Sequence, residues 1–254
     1  MPGGGSGGGL GEEWGDVVKA IEALGPEYPS VNRVISLGLD RLVRMLGIGL
    51  SGVSGGMILD AGAGDGSLSM LIQERLGGRR CFIAMLDPSE KMLRLAKGRV
   101  RRLGSDAVVG LLEYAPFRNS SFHSAFMAFA LRDVYSLTES VNRLASTLRQ
   151  GAVFIVIDLA KPDSPFKREV LKLYWRIIAP LLTAMFLLKG WREISKIYST
   201  YLLLPTEHEL VQKLNRHFRL TKIKRMFFGG AHILVLQRLD TQVCVKRDIA
   251  DRRE

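Results

Sequence analysis

The sequence predicts a doubly wound α/β domain built on a mostly parallel sheet of seven strands. Three observations carry this. Apolar strands alternate with helical stretches from Met57 to Ala160. The runs MILDA, CFIAMLD and AVFIVIDLA are near-continuously apolar, as strands covered on both faces must be. Two last runs, LTKIKRMFF and AHILVLQR, read as an antiparallel strand pair closing the sheet. With 254 residues, 47% hydrophobic and 24% charged, the chain is long and apolar enough for one sizeable core, and disorder is excluded.

The elements follow in order. MPGGGSGGGLG has no apolar stretch of the signal-peptide kind and reads as a flexible tail over 1–11. EEWGDVVKAIEAL has helical spacing and stops at Gly25-Pro26. VNRVISLGLDRLVRMLGI places Val31, Ile35, Leu39, Leu42 and Leu46 on one helical face. After a Gly/Ser loop comes the strand MILDA, then the helix SLSMLIQERL, closed by Gly77-Gly78. CFIAMLD is the second strand. Pro88-Ser89-Glu90 opens the helix KMLRLAKGRVRRLG, with proline and an acid in the first turn. DAVVGLLEY and SAFMAFALRDV read as the third and fourth strands, VYSLTESVNRLASTLRQG as a helix with its C-cap, and AVFIVIDLA as the fifth strand.

After Pro165 a long apolar helical stretch, broken at Pro180 and Gly190, forms a lid over about 165–204. Its most apolar part, IIAPLLTAMFLL, is well short of the ~20 residues that span a bilayer. It reads as a buried lid helix, with a surface-lying amphipathic helix as the other reading. HELVQKLNRHF is a further helix. The single domain runs over 12–240, and 241–254 is a polar tail.

The two cysteines, Cys81 and Cys244, make neither a disulfide framework nor a metal site, and a reducing cytoplasm suits them. Cys81 reads as a small buried hydrophobe. Asn and Gln are scarce, which points to a thermophile. The net charge of +11 is unevenly placed: residues 161–254 hold 19 Lys and Arg against 9 Asp and Glu, a surplus of ten. A solvated surface, an anionic membrane face and a nucleic-acid face are the readings this allows. Nucleic acid is disfavoured, because the chain lacks both an RNA-binding module and a basic stripe interleaved with aromatics.

The chemistry centres on ILDAGAGDGSL. Gly62, Gly64 and Gly66 follow a strand and precede a helix. A dinucleotide fingerprint needs its third glycine at 67, where this chain has Ser67. Asp87, at the end of the next strand, is placed to accept from two ribose hydroxyls. Asp60 and Asp65 flank the loop, repel a pyrophosphate and welcome a cation. S-adenosylmethionine, with its sulfonium and ammonium groups, fits that charge.

YPSVNRVISLGLDRLVR, ILDAGAGDGSL, EYAPFRNSSF, FALRDV, DLAKP, YSTYLLLP and FFGGAHILVLQR occur in the order of the motifs of one family. On these stretches, from Tyr28 to Arg238, the chain resembles the class I S-adenosylmethionine-dependent methyltransferases of the UbiE type, the ubiquinone/menaquinone biosynthesis C-methyltransferases. The resemblance implies a Rossmann-like fold and a prenylated quinone or quinol acceptor. It implies cofactor binding by Asp60, Gly62, Ala63, Gly64, Asp65, Gly66, Asp87, Pro88, Met92, Leu111, Leu112, Glu113 and Ala128, without a metal. Arg132 and Asp133 are the implied catalytic pair, and Tyr28, Asn32, Tyr198 and Tyr201 the implied substrate residues. The implied partners are a small-molecule or lipid-like substrate, a peripheral contact with the inner membrane face, and a second copy in a homodimer.

The chain departs from the family at Leu111 and Leu112, where a polar residue and Ala are usual, and at His123, Asp133 and Asp65. Other small-molecule or lipid acceptors, an RNA-binding methyltransferase and a non-catalytic cofactor-binding protein therefore stay open. His123 reads as a strand-start residue. His232 matches a family landmark and also suits a satisfied strand histidine.

Overall fold

The computed structural model describes residues 9–77, 81–101, 104–186 and 200–240. Seven strands form one sheet: β1 Gly56–Ala61, β2 Cys81–Asp87, β3 Ser105–Val109, β4 Phe122–Ala128, β5 Leu148–Leu159, β6 Phe218–Met226 and β7 Ala231–Arg238. Their order is β3-β2-β1-β4-β5-β7-β6. The first five strands are parallel, and β7 runs antiparallel between β5 and β6.

Strand periodicity sorts the core into two layers. Leu59, Ala61, Leu86, Met127, Phe154 and Leu234 face one side, packed under α6 (Leu137–Thr147) and α9 (Glu207–Leu214). Ile58, Ile83, Met85, Phe126, Ile157 and Ile233 face the other, under α3 (Asp40–Ser51), α4 (Ser67–Leu76) and α5 (Glu90–Arg99). Helix α3 lies so close to β5 that a Cβ on Gly47 would stand 2.5 Å from Ile157 Cδ1.

A third cluster lies beyond the C-terminal strand ends. It joins Leu24 of α1 (Trp14–Leu24) and Val31 and Ile35 of α2 (Tyr28–Ile35) to Leu171, Trp175, Ala179, Tyr201 and Leu204. Leu171 belongs to α7 (Pro165–Leu173). Trp175 lies in a π-turn, Tyr174–Ile178, that continues into α8 (Ala179–Phe186).

Several expectations need correction. The helix expected from Val31 onward is two helices, parted where Leu37 and Gly38 take φ of 53° and 78°. The break rotates the second half, so Leu42 and Leu46 are exposed while Val43 and Ile48 are buried. The third and fourth strands end early, at Val109 and Ala128; one-turn helices, Leu112–Tyr114 and Leu131–Asp133, follow them. Helix α5 stops at Arg99, where Val100 turns extended. Gly151 is no helix cap but part of β5, which already begins at Leu148. Pro180 does not break the lid. Its missing N–H is absorbed by the wider π-turn before it, where Ala179 N–H donates to Tyr174 O. Cys81, at the mouth of β2, is half-buried. Tyr198, Gly190 and Cys244 lie outside the described residues.

Candidate functional site

Ligands of open parallel sheets bind where strand order reverses, beyond the carboxyl ends of the strands. Here that point lies between β1 and β4. The segments after β1, β2, β3 and β4 surround a cavity of about 110 Å³, lined by Asp60, Gly62, Ala63, Gly64, Asp65, Asp87, Pro88, Met92, Leu111, Leu112, Glu113 and Ala128. All but one of the residues expected from sequence to hold a cofactor are thus brought together.

Hydrogen bonds lock the loop to β2. Gly62 N–H and Ala63 N–H both donate to Leu86 O, at 2.8 and 3.0 Å. Asp87 accepts from Gly64 N–H at 2.8 Å and from Ser89 N–H at 2.9 Å, so one carboxylate joins the loop to the start of α5. Gly62 has φ of 73°, and a Cβ there would lie 2.3 Å from Ala130 Cβ, which only glycine tolerates. Gly66 is the exception among the expected residues. It is absent from the lining, and its Cβ would meet Ala96 Cβ at 2.8 Å. Gly66 lets α4 approach α5; it does not face the cavity.

The acids divide by role. Asp60 is buried; its Oδ2 accepts from Ser69 Oγ at 2.6 Å, and its buried Oδ1 has no hydrogen-bond partner. Burial, opposed by the Ser69 bond, raises its pKa to about 7. Burial also raises Asp87. Asp65 lines the cavity and is also engaged within the protein. Its carboxylate accepts from Ser67 N–H and Ser67 Oγ and pairs with Arg99, so it serves the start of α4. Glu113 is likewise engaged, accepting from Ser136 N–H at 2.9 Å and Ser140 Oγ at 2.8 Å.

A second, larger cavity of about 270 Å³ lies under the cap, lined mainly by apolar side chains. Tyr28, Asn32, Arg132 and Asp133 line it. Tyr28, Phe129 and Asp133 line both cavities and so mark their junction. Tyr201 is not in the lining. It is fully buried behind Trp175, with ring centroids 6.4 Å apart. Its packing belongs to the cap core.

Arg132 is buried. It donates from Nη1 to Asp158 Oδ1 at 2.6 Å and approaches Asp133 at 3.3 Å. Burial works against its charge, but Asp133 and Asp158 offset this and hold its pKa above the ordinary value. Burial raises Asp133 to about 6 despite the attraction of Arg132. Its Oδ1 is buried without a hydrogen-bond partner. Burial also raises the Tyr28 phenol.

Four features at this site were missed in the sequence. Helix α1 covers the first cavity with Trp14, Val17, Val18 and Ile21, and is tied down by Ser89 Oγ donating to Glu22 at 2.6 Å. Arg44, buried on α3 and paired with Asp40, also lines that cavity. Phe129 is approached by both Arg44 and Arg132, whose Cζ atoms lie 4.9 and 6.0 Å from its ring centroid. Asp158, on β5, holds Arg132. The amphipathic pattern of α1 was visible, but nothing in it tells a lid from a core helix. His123 is a strand-start residue, its Nδ1 accepting from Met57 N–H at 3.0 Å. His232 is buried, 3.4 Å from Glu207, with Nε2 unpartnered. Among the described residues no group of three or more His, Cys, Asp or Glu is placed to hold a metal.

A profile described as the ubiE/COQ5 methyltransferase family matches residues 10–212. Ubiquinone/menaquinone biosynthesis C-methyltransferase UbiE of Methylococcus capsulatus is 27% identical over 179 residues, 67% of this chain and 71% of that protein. A 2-phytyl-1,4-naphtoquinone methyltransferase of Synechococcus elongatus is 28% identical over 165 residues, 63% and 70% of the two chains. Among solved structures, an S-adenosylmethionine-dependent methyltransferase of Thermotoga maritima, described as a possible histamine N-methyltransferase, superimposes with a TM-score of 0.62. It is 16% identical and covers 88% of this chain and 100% of its own, a likeness of fold.

Proposed function

From the premise that this chain belongs to the ubiE/COQ5 methyltransferase family, we propose that it moves a methyl group from S-adenosylmethionine to a ring carbon of a prenylated quinol precursor. One observation carries the reading: a cavity lined by three buried acids, Asp60, Asp65 and Asp87, adjoins a larger, more apolar one at Tyr28, Phe129 and Asp133. The quinone substrates named for the relatives support the acceptor class.

The residues fit the cofactor. The unpartnered Oδ1 of Asp60 suits a ligand ammonium. Asp87, fixed by two backbone N–H groups, suits ribose hydroxyls, and Pro88, Met92, Leu111 and Leu112 give adenine an apolar wall. When bound, S-adenosylmethionine supplies an electrophilic methyl on a cationic sulfur.

The chain's own residues do the rest. The apolar chamber excludes water from the reacting carbon. A quinol carbon becomes nucleophilic when a neighbouring hydroxyl loses its proton. Asp133 Oδ1 takes that proton, and once the new carbon–carbon bond has displaced S-adenosylhomocysteine, the methylated ring carbon loses its own proton and the ring is aromatic again. Arg132, too basic to act as a base, stabilises the resulting phenolate. Tyr28 and Asn32 orient the ring. A lipid-soluble acceptor and the positive surplus of the last third make the face of an anionic membrane the working place.

The test is transfer of labelled methyl from S-adenosylmethionine into a host lipid extract and, separately, into host RNA. Label is expected in the quinone fraction. Label confined to RNA, or to lipids other than quinones, sinks the acceptor assignment.

A further inference from the structure

The lid helix carries two apolar faces, and only one of them is covered. Leu171, Trp175, Ala179 and Thr183 are buried against the body of the protein. Each four-residue step overshoots a full α-helical turn by roughly 40°. The wider π-turn at Tyr174–Ile178 offsets that drift and keeps the buried row in line. Phe166, Val170, Leu173, Ile177, Leu181 and Met185, three or four residues apart, form a second row, and all six are exposed, Phe166 by 71% and Met185 by 69%. The row is about 30 Å long at the α-helical rise. Soluble monomers rarely leave so long an apolar strip facing water.

We infer that this row docks the protein on an anionic lipid bilayer, with α7 and α8 lying in the plane of the headgroups. The inference rests on the acceptor class proposed above. Charge complementarity names the occupant: Lys167, Arg168, Lys172 and Arg176 accompany the row, against Glu169 alone. Phe228 extends the row, edge-on to Phe166 at 6.4 Å, with Lys167 Nζ 5.4 Å from its ring centre. Aromatic rings beside lysines suit the boundary between headgroup and acyl chain. Continuity with the site gives the docking a purpose. Val170, Phe227 and Leu37 are exposed and also line the apolar cavity, so its rim lies beside the row. A lipid-dissolved acceptor would enter there without crossing water. No helix among the described residues is long and apolar enough to cross a membrane.

The experiment is cosedimentation with phosphatidylglycerol vesicles and with phosphatidylcholine vesicles, for the wild type and for the triple variant Ile177→Glu, Leu181→Glu, Met185→Glu. The wild type is expected to bind the anionic vesicles at least tenfold more tightly, with binding weakened by salt. The triple variant should lose that binding at least tenfold, while its melting temperature and its calorimetric affinity for S-adenosylhomocysteine stay as in the wild type. Equal binding by wild type and variant overturns the inference, as does absence of vesicle binding. A variant that changes only oligomeric state on gel filtration assigns the row to a second copy and overturns it too. Sedimentation needs no turnover, so a wrong acceptor would leave this result standing.

Discussion

Asp60 and Asp87 were legible in the sequence because each ends or nearly ends an apolar strand, whereas Arg132 and Asp133 were implied by the family resemblance of FALRDV. Their partners were not. Asp158 holds Arg132 at 2.6 Å from 26 residues away, and no local pattern announces such a pair. Two predictions belong here. Asp133, raised to about 6, takes a proton only when ionised. Turnover should therefore rise with pH through about 6 and level off above it. Asp133→Asn should lower the plateau at least about tenfold and abolish that limb; an unchanged limb in the variant assigns it to another group. Arg132→Lys keeps a charge between Asp133 and Asp158 but loses the planar fork. Turnover should fall by about tenfold or more, with calorimetric affinity for S-adenosylhomocysteine near normal. Wild-type turnover would remove Arg132 from the mechanism.

At the scale of elements, periodicity located the strands and most helices, because burial on two faces leaves a plain apolar mark. It failed where the backbone leaves regular geometry. Leu37, Gly38 and Phe129 adopt positive φ, and the strand before Phe129 and the helix before Leu37 end there. A left-handed aromatic costs on the order of 1–2 kcal/mol. Tertiary packing holds Phe129 there, with its N–H donating to Ile157 O at 2.7 Å and two guanidinium groups close to its ring. Helix α3 gives a prediction about packing. Gly47→Ala sets a methyl 2.5 Å from Ile157 Cδ1. The variant should lose about 1–3 kcal/mol of stability, read from urea unfolding. No loss would mean that α3 can lift from the sheet at little cost.

On the scale of the molecule, the sheet presents two layers, and the cap adds a third core above the strand ends. The first cavity lies where loops of the sheet meet helix α1, and the second under the cap. Charge links binding to pH at this scale. Asp60, raised to about 7 by burial, is mostly protonated in the empty protein below that pH. A ligand ammonium favours its ionised form. Affinity for S-adenosylhomocysteine should therefore strengthen from pH 6 to pH 8. The stability sign is the opposite: a carboxyl whose folded pKa exceeds the unfolded value near 3.8 binds more protons folded than unfolded. The contribution of Asp60 to the stability of the empty protein therefore falls as pH rises from about 4 to about 7. Asp60→Asn should flatten both trends, measured by calorimetry and by thermal melts. Ligand affinity that still strengthens equally in the variant assigns the effect to the ligand's own amine.

Local sequence marked two pieces of chemistry, a glycine loop after the first strand and an acid at the end of the second, and the family resemblance pointed to Arg-Asp after the fourth. Those features are local, since each depends on a residue and its immediate neighbours along the chain. Tertiary structure alone decided which groups meet. It tied Asp65 to Ser67 and Arg99 at the cavity wall, set Gly66 against α5 and Tyr201 behind Trp175, and brought α1, Arg44 and Asp158 to the site. It also left one face of the lid uncovered. Apolar spacing tells which residues seek burial, but only the packed chain shows which of them find it.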